Sequence, residues 1–312
     1  MAFSVRVIRI AYPGDFYFDE VYHGFTATQY AQGDKAAHNA YDPWATSPPG
    51  RAFEWTHPPL AKLVMGAFVH VFGEKSWAWR IGSALFGTGV IGLTALIGFE
   101  LFSPAVGLVA AGLLSLDGLL LAQSRLAMND MYFLFFALLS VFTYLRAIRT
   151  KQKWNRIWAL CGISLGLALA CKWTALYLIA ILGADYWCAL LMRQKKSLAQ
   201  VLTTTVGLAA CISTTYLASY IHYFLQGFSW KEFVELEKQM WWYHSQLSST
   251  HPYASIPWQW ILNLKPVWMF VDWSRGGRVA HIFNYGNSVL LWTGLGAALY
   301  TLMRERASSW AI

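Results

Sequence analysis

Apolar stretches of near-uniform length constrain this sequence more than any other feature. A helix needs about 20 mostly apolar residues to cross the hydrocarbon core of a bilayer. Runs of about that length occupy residues 80–101, 104–123, 127–146, 174–192, 200–225 and 286–303. The run 157–171 is shorter, and the run Leu60–Phe72 suits a helix that lies in the interface or re-enters the membrane. These runs predict an all-α, polytopic integral membrane protein.

The charge balance supports this class and excludes others. Only 13% of the residues are charged, against about 25% in soluble domains. The net charge of +8 belongs to an apolar chain, which excludes a disordered protein and a nucleic-acid-binding one, since both need polar, charged surfaces. The 17 Trp and 16 Tyr residues are typical of the aromatic belts at the two membrane–water boundaries.

Basic residues lie in short segments that predict the orientation, because cytoplasmic loops are enriched in Lys and Arg. The segments 146–156 and 193–197 contain no acidic residue, and Arg304 and Arg306 follow the last apolar run. An even number of predicted spans separates these segments, so all of them fit on the cytoplasmic side. Residues 1–79 and 226–285 then lie outside. The N-terminus falls outside as well, so we expect a first helix to be missing from this sequence.

Adjacent carboxylates stand in the first outer segment. Asp19 and Glu20 form a pair that suits a general base with an orienting partner, or ligands for a hard cation. Two solvated loop acids are the alternative. His57 precedes two prolines, a pattern that predicts a rigid turn leading into a helix. His57 is then either a functional residue or a hydrogen-bonding residue of that turn.

Ionisable residues also interrupt the apolar runs. Asp117 falls inside the run 104–123, where burying a charge is costly, so it is expected to face a partner or a watery cavity. Arg125 follows this run and is a candidate phosphate ligand, although an internal pair with Asp130 is equally compatible. Lys172 lies between two apolar runs, either as a second phosphate contact or with its amine extended to the interface.

The second outer segment begins with an amphipathic, Trp-rich stretch suited to an interfacial helix. His244 and His251 are seven residues apart, but Pro252 argues against a continuous helix. The histidines have no recognised metal-ligand spacing, and the four cysteines lie in apolar runs without one. No cofactor is predicted; a divalent metal is possible but not indicated.

Six motifs occur in the order found in protein O-mannosyltransferases, and the bacterial type is the most similar. They are FDEVYHG, HPPLAKL, LDGLLLAQSRLAMND, GLALACKWTALY, WYHSQLSSTHPYASIPWQW and IFNYGNSVLLWTG. The resemblance implies a C-type glycosyltransferase fold, with the active site of a helical bundle at the outer surface of the plasma membrane. It also implies mannose transfer from a polyprenyl or dolichyl phosphate sugar to Ser or Thr of exported proteins.

The resemblance also implies residue roles. Asp19 looks like the catalytic acid of the family, with Glu20 beside it. Arg125 looks like the arginine that binds the donor phosphate, with Asp130 as its nearby acid, and Lys172 matches a lysine-containing motif. His57 and Lys62 fall in the HPPL motif. Two positions depart from the family pattern, namely Met128-Asn129 in place of two leucines and Ile261 in place of a proline.

These inferences divide one membrane domain into four parts. Residues 1–79 form the first outer loop with the catalytic motif and an interfacial helix, and 80–225 form the transmembrane bundle. Residues 226–285 form a second outer loop with an interfacial helix, and 286–312 form the last span with a cytoplasmic end.

Rival functions remain at this stage. A related enzyme could transfer its sugar to a lipid, as aminoarabinose transferases do. A transporter is less favoured, because the sequence has no repeated halves. A fragment that acts as a non-catalytic membrane scaffold is the last alternative.

Overall fold

The computed structural model describes residues 1–38, 47–149, 154–193, 197–248, 254–275 and 278–305. Almost all of its regular structure is helical. In chain order the helices are α1 (Ala2–Val7), α2 (His23–Gln32), α3 (Leu60–Phe72), α4 (Ser76–Leu101), α5 (Pro104–Ser115), α6 (Gly118–Gln123), α7 (Asp130–Ile148), α8 (Arg156–Cys171), α9 (Ala175–Arg193), α10 (Leu198–Ala218), α11 (Ile221–Leu225), α12 (Trp230–Gln246), α13 (Pro257–Ile261) and α14 (Ser288–Glu305). Short 3₁₀ turns cover Phe18–Val21 and Lys35–His38.

Most of the predicted spans are observed as helices. Among the described residues, α4, α7 and α10 are long and apolar enough to cross a membrane, and α3, α5 and α8 are apolar but shorter. Helices α9 and α14 coincide with the predicted runs 174–192 and 286–303 to within two residues. Several ends carry the expected caps: Ser103 accepts from the N–H of Val106 at the start of α5, and Asn155 accepts from Ile157 at the start of α8.

The helices of the bundle approach each other through small residues. A Cβ atom added at Gly162 of α8 would lie 2.7 Å from the Cβ of Cys211, and one at Gly166 would lie 2.7 Å from the Cβ of Thr215. Glycine therefore lets α8 and α10 pack at close range, as is common between membrane helices. A neighbouring cluster around Tyr144 and Trp158 joins α7 to α8.

The run 104–123 is not the continuous helix that was predicted. It breaks between α5 and α6, where Asp117 caps α6 by accepting from the N–H of Leu120 at 2.8 Å. The second carboxylate oxygen of Asp117 accepts from the N–H of Asn287 at 2.9 Å, just before α14. Asp117 therefore lies at a helix break instead of inside a helix, and two backbone donors offset the cost of its charge.

A β-hairpin departs from the all-helical expectation. Strand β1 (Val267–Arg275) pairs antiparallel with β2 (Arg278–Asn284). Side chains of β1 pack against Tyr17 and Leu126, so the hairpin covers the segment that carries the acidic motif. This segment also rests on α3 through α2, where a Cβ at Gly66 would meet the carbonyl oxygen of Ala27 at 2.7 Å.

Candidate active site

Arg80, in the second turn of α4, organises the segment that carries the acidic motif. Its side chain is completely buried. Nη1 donates to the carbonyl oxygens of Ile10 and Pro13 at 3.0 and 2.6 Å, and Nη2 donates to the carbonyl oxygen of Asp15 at 2.9 Å. Nε and Nη2 donate to the two carboxylate oxygens of Glu20 at 2.7 and 2.6 Å. All five N–H donors of the guanidinium are therefore engaged in fixing residues 10–20.

Glu20 connects this segment to the turn that contains Arg125. Besides its bidentate pair with Arg80, Oε1 of Glu20 accepts from the backbone N–H of Ala127 at 2.9 Å. Burial raises the pKa of the Glu20 carboxyl, while Arg80 and the N–H groups of Ala127 and Tyr17 favour its charged form. The Glu20 side chain is fully buried, and its contacts with Arg80 and Ala127 suit the orienting partner expected from the sequence more than a group that contacts substrate.

The Asp19 side chain is only partly buried, whereas that of Glu20 is fully buried. The preceding residue, Phe18, has a φ of +52°, which is strained for a bulky side chain and is found most often at functional sites. Asp19 interacts electrostatically with Tyr22 and with Tyr243 of α12. Burial raises the pKa values of both phenols, and the carboxylate of Asp19 raises them further. The accessible acid of the motif is thus Asp19.

Arg125 lines a cavity of about 600 Å³ between the N-terminal segment, α6 and the hairpin. Its Nη1 donates to the carbonyl oxygens of Val5 and Arg6 at 3.1 and 3.0 Å. The alternative pair between Arg125 and Asp130 does not form, because Asp130 binds Lys172 instead. A cationic, partly buried group beside a cavity suits phosphate binding.

Lys172 lies against Asp130, with Nζ 3.0 Å from Oδ1. Lys172 is not among the residues that line the Arg125 cavity. The structure therefore places Lys172 against Asp130 and outside the lining of the cavity that contains Arg125. Asp130 pairs with Lys172 and not with Arg125, so the internal Arg125–Asp130 pair considered from the sequence is not formed among the described residues.

A buried ion pair holds the turn formed by the HPPL motif, residues 57–60, in place. Nζ of Lys62 binds the carboxylate of Glu54 and donates to the carbonyl oxygen of His57 at 2.9 Å. Both partners of the ion pair are at least 95% buried. Burial alone would raise the pKa of Glu54, but Lys62 and the nearby histidines lower it well below its usual range. Lys62 therefore holds the turn that presents His57.

Three imidazoles stack beside this turn. The ring of His57 lies 6.0 Å from that of His23 and 5.1 Å from that of His244, measured between centroids. Burial lowers the pKa of His57 to about 3 and that of His23 to about 4. Both are neutral near pH 7 and contribute packed, stacked rings, and Nδ1 of His23 lies 3.7 Å from the carboxylate of Glu54.

Helix α12 forms over the stretch for which the sequence predicts an interfacial helix. A capping box of Ser229 and Glu232 starts it, and its exposed face carries Trp230, Trp241 and Trp242. Near its end, Nε2 of His244 donates to the carbonyl oxygen of Thr56 at 2.7 Å. The second histidine, His251, lies outside the described residues. Within the described ranges, no group of three or more His, Cys, Asp or Glu side chains could hold a metal ion.

Two residues of the site were not singled out from the sequence. Arg80 resembled an ordinary polar residue at the start of an apolar run, although a buried arginine in a spanning helix is a functional signal. Tyr243 stood in an aromatic stretch assigned to membrane anchoring. Its ring packs edge-on against Trp55 at 5.7 Å, and burial, Glu54 and Asp19 together raise the pKa of its hydroxyl.

Comparison with known proteins identifies the family. A family model described as dolichyl-phosphate-mannose-protein mannosyltransferase matches residues 1–267. The chain belongs to this family. A second model, for the C-terminal four TMM region of protein-O-mannosyltransferase, matches residues 229–306. The resemblance inferred from the six motifs is thereby confirmed.

Curated members of the family are similar at moderate identity. The polyprenol-phosphate-mannose–protein mannosyltransferase of Corynebacterium glutamicum is 25% identical, over 79% of this chain and 60% of its own. The Mycobacterium tuberculosis protein of the same name is 25% identical over 69% of this chain and 52% of its own. The chain thus spans about half to three fifths of the length of these relatives.

Solved structures confirm the fold. The Saccharomyces cerevisiae protein O-mannosyltransferase Pmt1-Pmt2 complex bound to the sugar donor matches with a TM-score of 0.56 and 19% identity, over 72% of this chain and 32% of that one. ArnT from Cupriavidus metallidurans in the apo state matches with a TM-score of 0.57 and 14% identity, over 84% of this chain and 45% of that one. The chain has the membrane-embedded C-type glycosyltransferase fold.

Proposed function

We propose that this chain carries the catalytic part of an inverting mannosyltransferase. The donor is a polyprenyl or dolichyl phosphate mannose, and the acceptors are Ser and Thr hydroxyls of exported proteins. The observation that carries the proposal is the double attachment of Glu20, which fixes both the turn that presents Asp19 and, through Ala127, the turn that presents Arg125. A general base and a phosphate-binding cation thereby share one rigid support.

The proposed step is a single displacement at C1 of mannose. Asp19 accepts the proton of the acceptor hydroxyl as its oxygen bonds to C1. The bond from C1 to the phosphate oxygen breaks, and the electron pair leaves with the polyprenyl phosphate. Arg125 stabilises the departing phosphate, which needs no metal in this scheme. Attack opposite the leaving group inverts the anomeric centre.

The site is proposed to face the extracytoplasmic side of the cell membrane. Arg146 and Arg149 at the end of α7, and Arg156 at the start of α8, lie at the opposite ends of these helices from the Asp130–Lys172 pair. By the enrichment of Lys and Arg in cytoplasmic loops, the first outer segment then lies outside. Exported proteins reach this side as they emerge.

The decisive assay incubates membranes that contain the full chain with radiolabelled polyprenyl phosphate mannose and a Ser/Thr peptide. We expect Asp19→Asn to reduce peptide labelling by about 10²- to 10⁴-fold, the usual contribution of a general base. Asp15→Asn is the matched control, because the Asp15 side chain is 72% exposed and its pair with Arg51 lies at the surface. It should keep activity within about twofold, as expected for an exposed ion pair.

A lipid-acceptor arm distinguishes the rival enzyme class. The same membranes receive labelled donor and a lipid A acceptor in place of peptide. Labelling of lipid without labelling of peptide would reassign the chain to a lipid-directed sugar transferase. Full peptide labelling by the Asp19→Asn variant would refute the assignment of the base.

A further inference from the structure

A second arginine lies in the cavity that Arg125 lines. The cavity has walls from α1 and the residues that follow it, from α6 and from the hairpin. Much of its lining is apolar, including Val5, Ile8, Leu121, Phe270, Ile282 and Phe283. Arg9 and Arg125 add two cationic side chains to this apolar surface. The volume of about 600 Å³ falls in the usual range of small-molecule sites.

The charges in this cavity are unbalanced. Among the described residues that line it, no Asp or Glu is present, while Arg9 and Arg125 are. Burial lowers the pKa of Arg125, and the positive charges of Arg80 and Arg9 lower it further. One carboxylate, that of Asp272, lies behind the lining in a hydrogen bond with Tyr12, so the two arginines leave an excess of positive charge that attracts an anion.

Arg9 itself is available for a ligand. Its side chain is exposed, and within the described part of the chain it forms no salt bridge with a carboxylate. Its guanidinium carbon lies 5.7 Å from the centroid of the Tyr12 ring, a stacking that restricts its position. Its backbone has a φ of +54°, an unfavourable conformation for a residue with a side chain that long.

The walls of the cavity are held together on the side of Arg9. The hydroxyl of Tyr12 donates to the carboxylate of Asp272 on β1. The rings of Tyr12 and Tyr17 pack edge-on against Phe270 at 5.9 and 5.5 Å. The hairpin is therefore fixed over the two arginines, so the cavity is preformed.

We propose that Arg9 is a second phosphate-binding residue, which binds the monophosphate of an isoprenoid lipid together with Arg125. This inference rests on the proposed function. The donor is a phosphodiester with one negative charge. When the bond from C1 to the phosphate oxygen breaks, that electron pair stays on the phosphate, and the product is a monoester with up to two charges near pH 7. Arg125 balances the negative charge already present on the donor phosphodiester. Arg9 balances the second negative charge, which develops on the phosphate during transfer.

Binding of defined probes tests this without any transfer reaction. Purified full chain in detergent is titrated at pH 8 with farnesyl phosphate, farnesyl methyl phosphate, farnesol and inorganic phosphate, and binding is followed by calorimetry. We expect farnesyl phosphate to bind about tenfold more tightly than its methyl diester, a factor typical of one charged hydrogen bond. Farnesol and inorganic phosphate should bind more weakly than farnesyl phosphate, because farnesol lacks the phosphate and inorganic phosphate lacks the isoprenoid chain.

Variants assign the preference to Arg9. Arg9→Gln should bind monoester and diester equally, and Arg9→Lys should retain part of the preference because it keeps the charge. Arg278→Gln is the control, since Arg278 is an exposed arginine on the same hairpin that does not line the cavity.

A preference unchanged in Arg9→Gln would overturn the proposal, and so would equal binding of farnesol and farnesyl phosphate. If inorganic phosphate binds as tightly as farnesyl phosphate, the site is a free-phosphate site and the lipid assignment is wrong.

The outcome is separable from that of the transfer assay. Loss of the monoester preference in Arg9→Gln supports the cavity assignment even if peptide labelling fails. Conversely, transfer that depends on Asp19 with an unchanged preference in Arg9→Gln would leave the proposed function intact and exclude this role of Arg9.

Discussion

Arg80 and Glu20 form a bidentate ion pair in which both side chains are completely buried. The two partners are separated by 60 residues and belong to α4 and to the turn that presents Asp19. Removing one partner from a buried pair leaves an uncompensated charge, whereas an exposed pair contributes little. This pair is therefore the main constraint on the geometry of the candidate site.

We predict that Glu20→Gln lowers the free energy of unfolding by about 3–5 kcal/mol, the usual cost of a buried charge left alone. Transfer should fall with it, because the Asp19 and Arg125 turns lose their common support. The measurement is the thermal unfolding midpoint in detergent, read from tryptophan fluorescence, alongside peptide labelling. Asp15→Asn is the comparison, because the Asp15 side chain is 72% exposed, and it should cost at most about 1 kcal/mol. Equal midpoints for Glu20→Gln and Asp15→Asn would contradict this account.

Tyr243 is predicted to position the reactants beside Asp19. Tyr243→Phe keeps the ring that packs on Trp55 but removes the hydroxyl, so we expect about a tenfold loss of turnover with an unchanged unfolding midpoint. Steady-state kinetics with the peptide acceptor separate kcat from KM. Trp242→Phe is the control, because its neighbouring ring is 49% exposed and is expected to leave kcat unchanged. A Tyr243→Phe variant with normal kcat would show that the phenol is only a packing group.

Lys172 is predicted to act through Asp130 and not on the donor. Lys172→Met should destabilise the fold modestly, by about 1 kcal/mol for this partly exposed pair, and leave the KM for the donor unchanged. Arg125→Lys should raise that KM, because a lysine cannot reproduce a bidentate contact with phosphate. Donor titrations of both variants check this. A raised donor KM in Lys172→Met would restore the phosphate contact inferred from the sequence.

The helices were predictable because the length of an apolar run directly reflects the thickness of the membrane. The break in the run 104–123 was not predicted, because Asp117 was expected to face a partner or a watery cavity from within one continuous helix. The break depends on Asp117, and one of the two N–H groups that bind Asp117 comes from Asn287, 170 residues along the chain. Sequence periodicity contains no information about such a distant partner.

The hairpin could have been recognised. Gly276 and Gly277 stand between two stretches rich in β-branched and aromatic residues, a pattern that predicts two strands and a tight turn. Asp19 and Arg125 were identified from their motifs, but the split between an accessible Asp19 and a buried Glu20 was not. That split depends on Arg80, which lies 60 residues further along the chain.

The buried histidines predict how stability depends on pH. Burial lowers the pKa of His23 to about 4 from its ordinary value near 6.5, so the unfolded chain takes up a proton at a higher pH than the folded one. Stability is therefore full above about pH 6.5 and falls as the pH decreases toward 4. Between pH 7 and pH 5 the loss for this one residue is about 2 kcal/mol, and His57 adds to it. We expect the unfolding midpoint of the wild type to drop over this range, and the drop to be smaller in His23→Gln.

His70→Gln is the control, because His70 is exposed on α3, and its profile should follow the wild type. Parallel profiles for wild type and His23→Gln would show that another group governs the acid sensitivity.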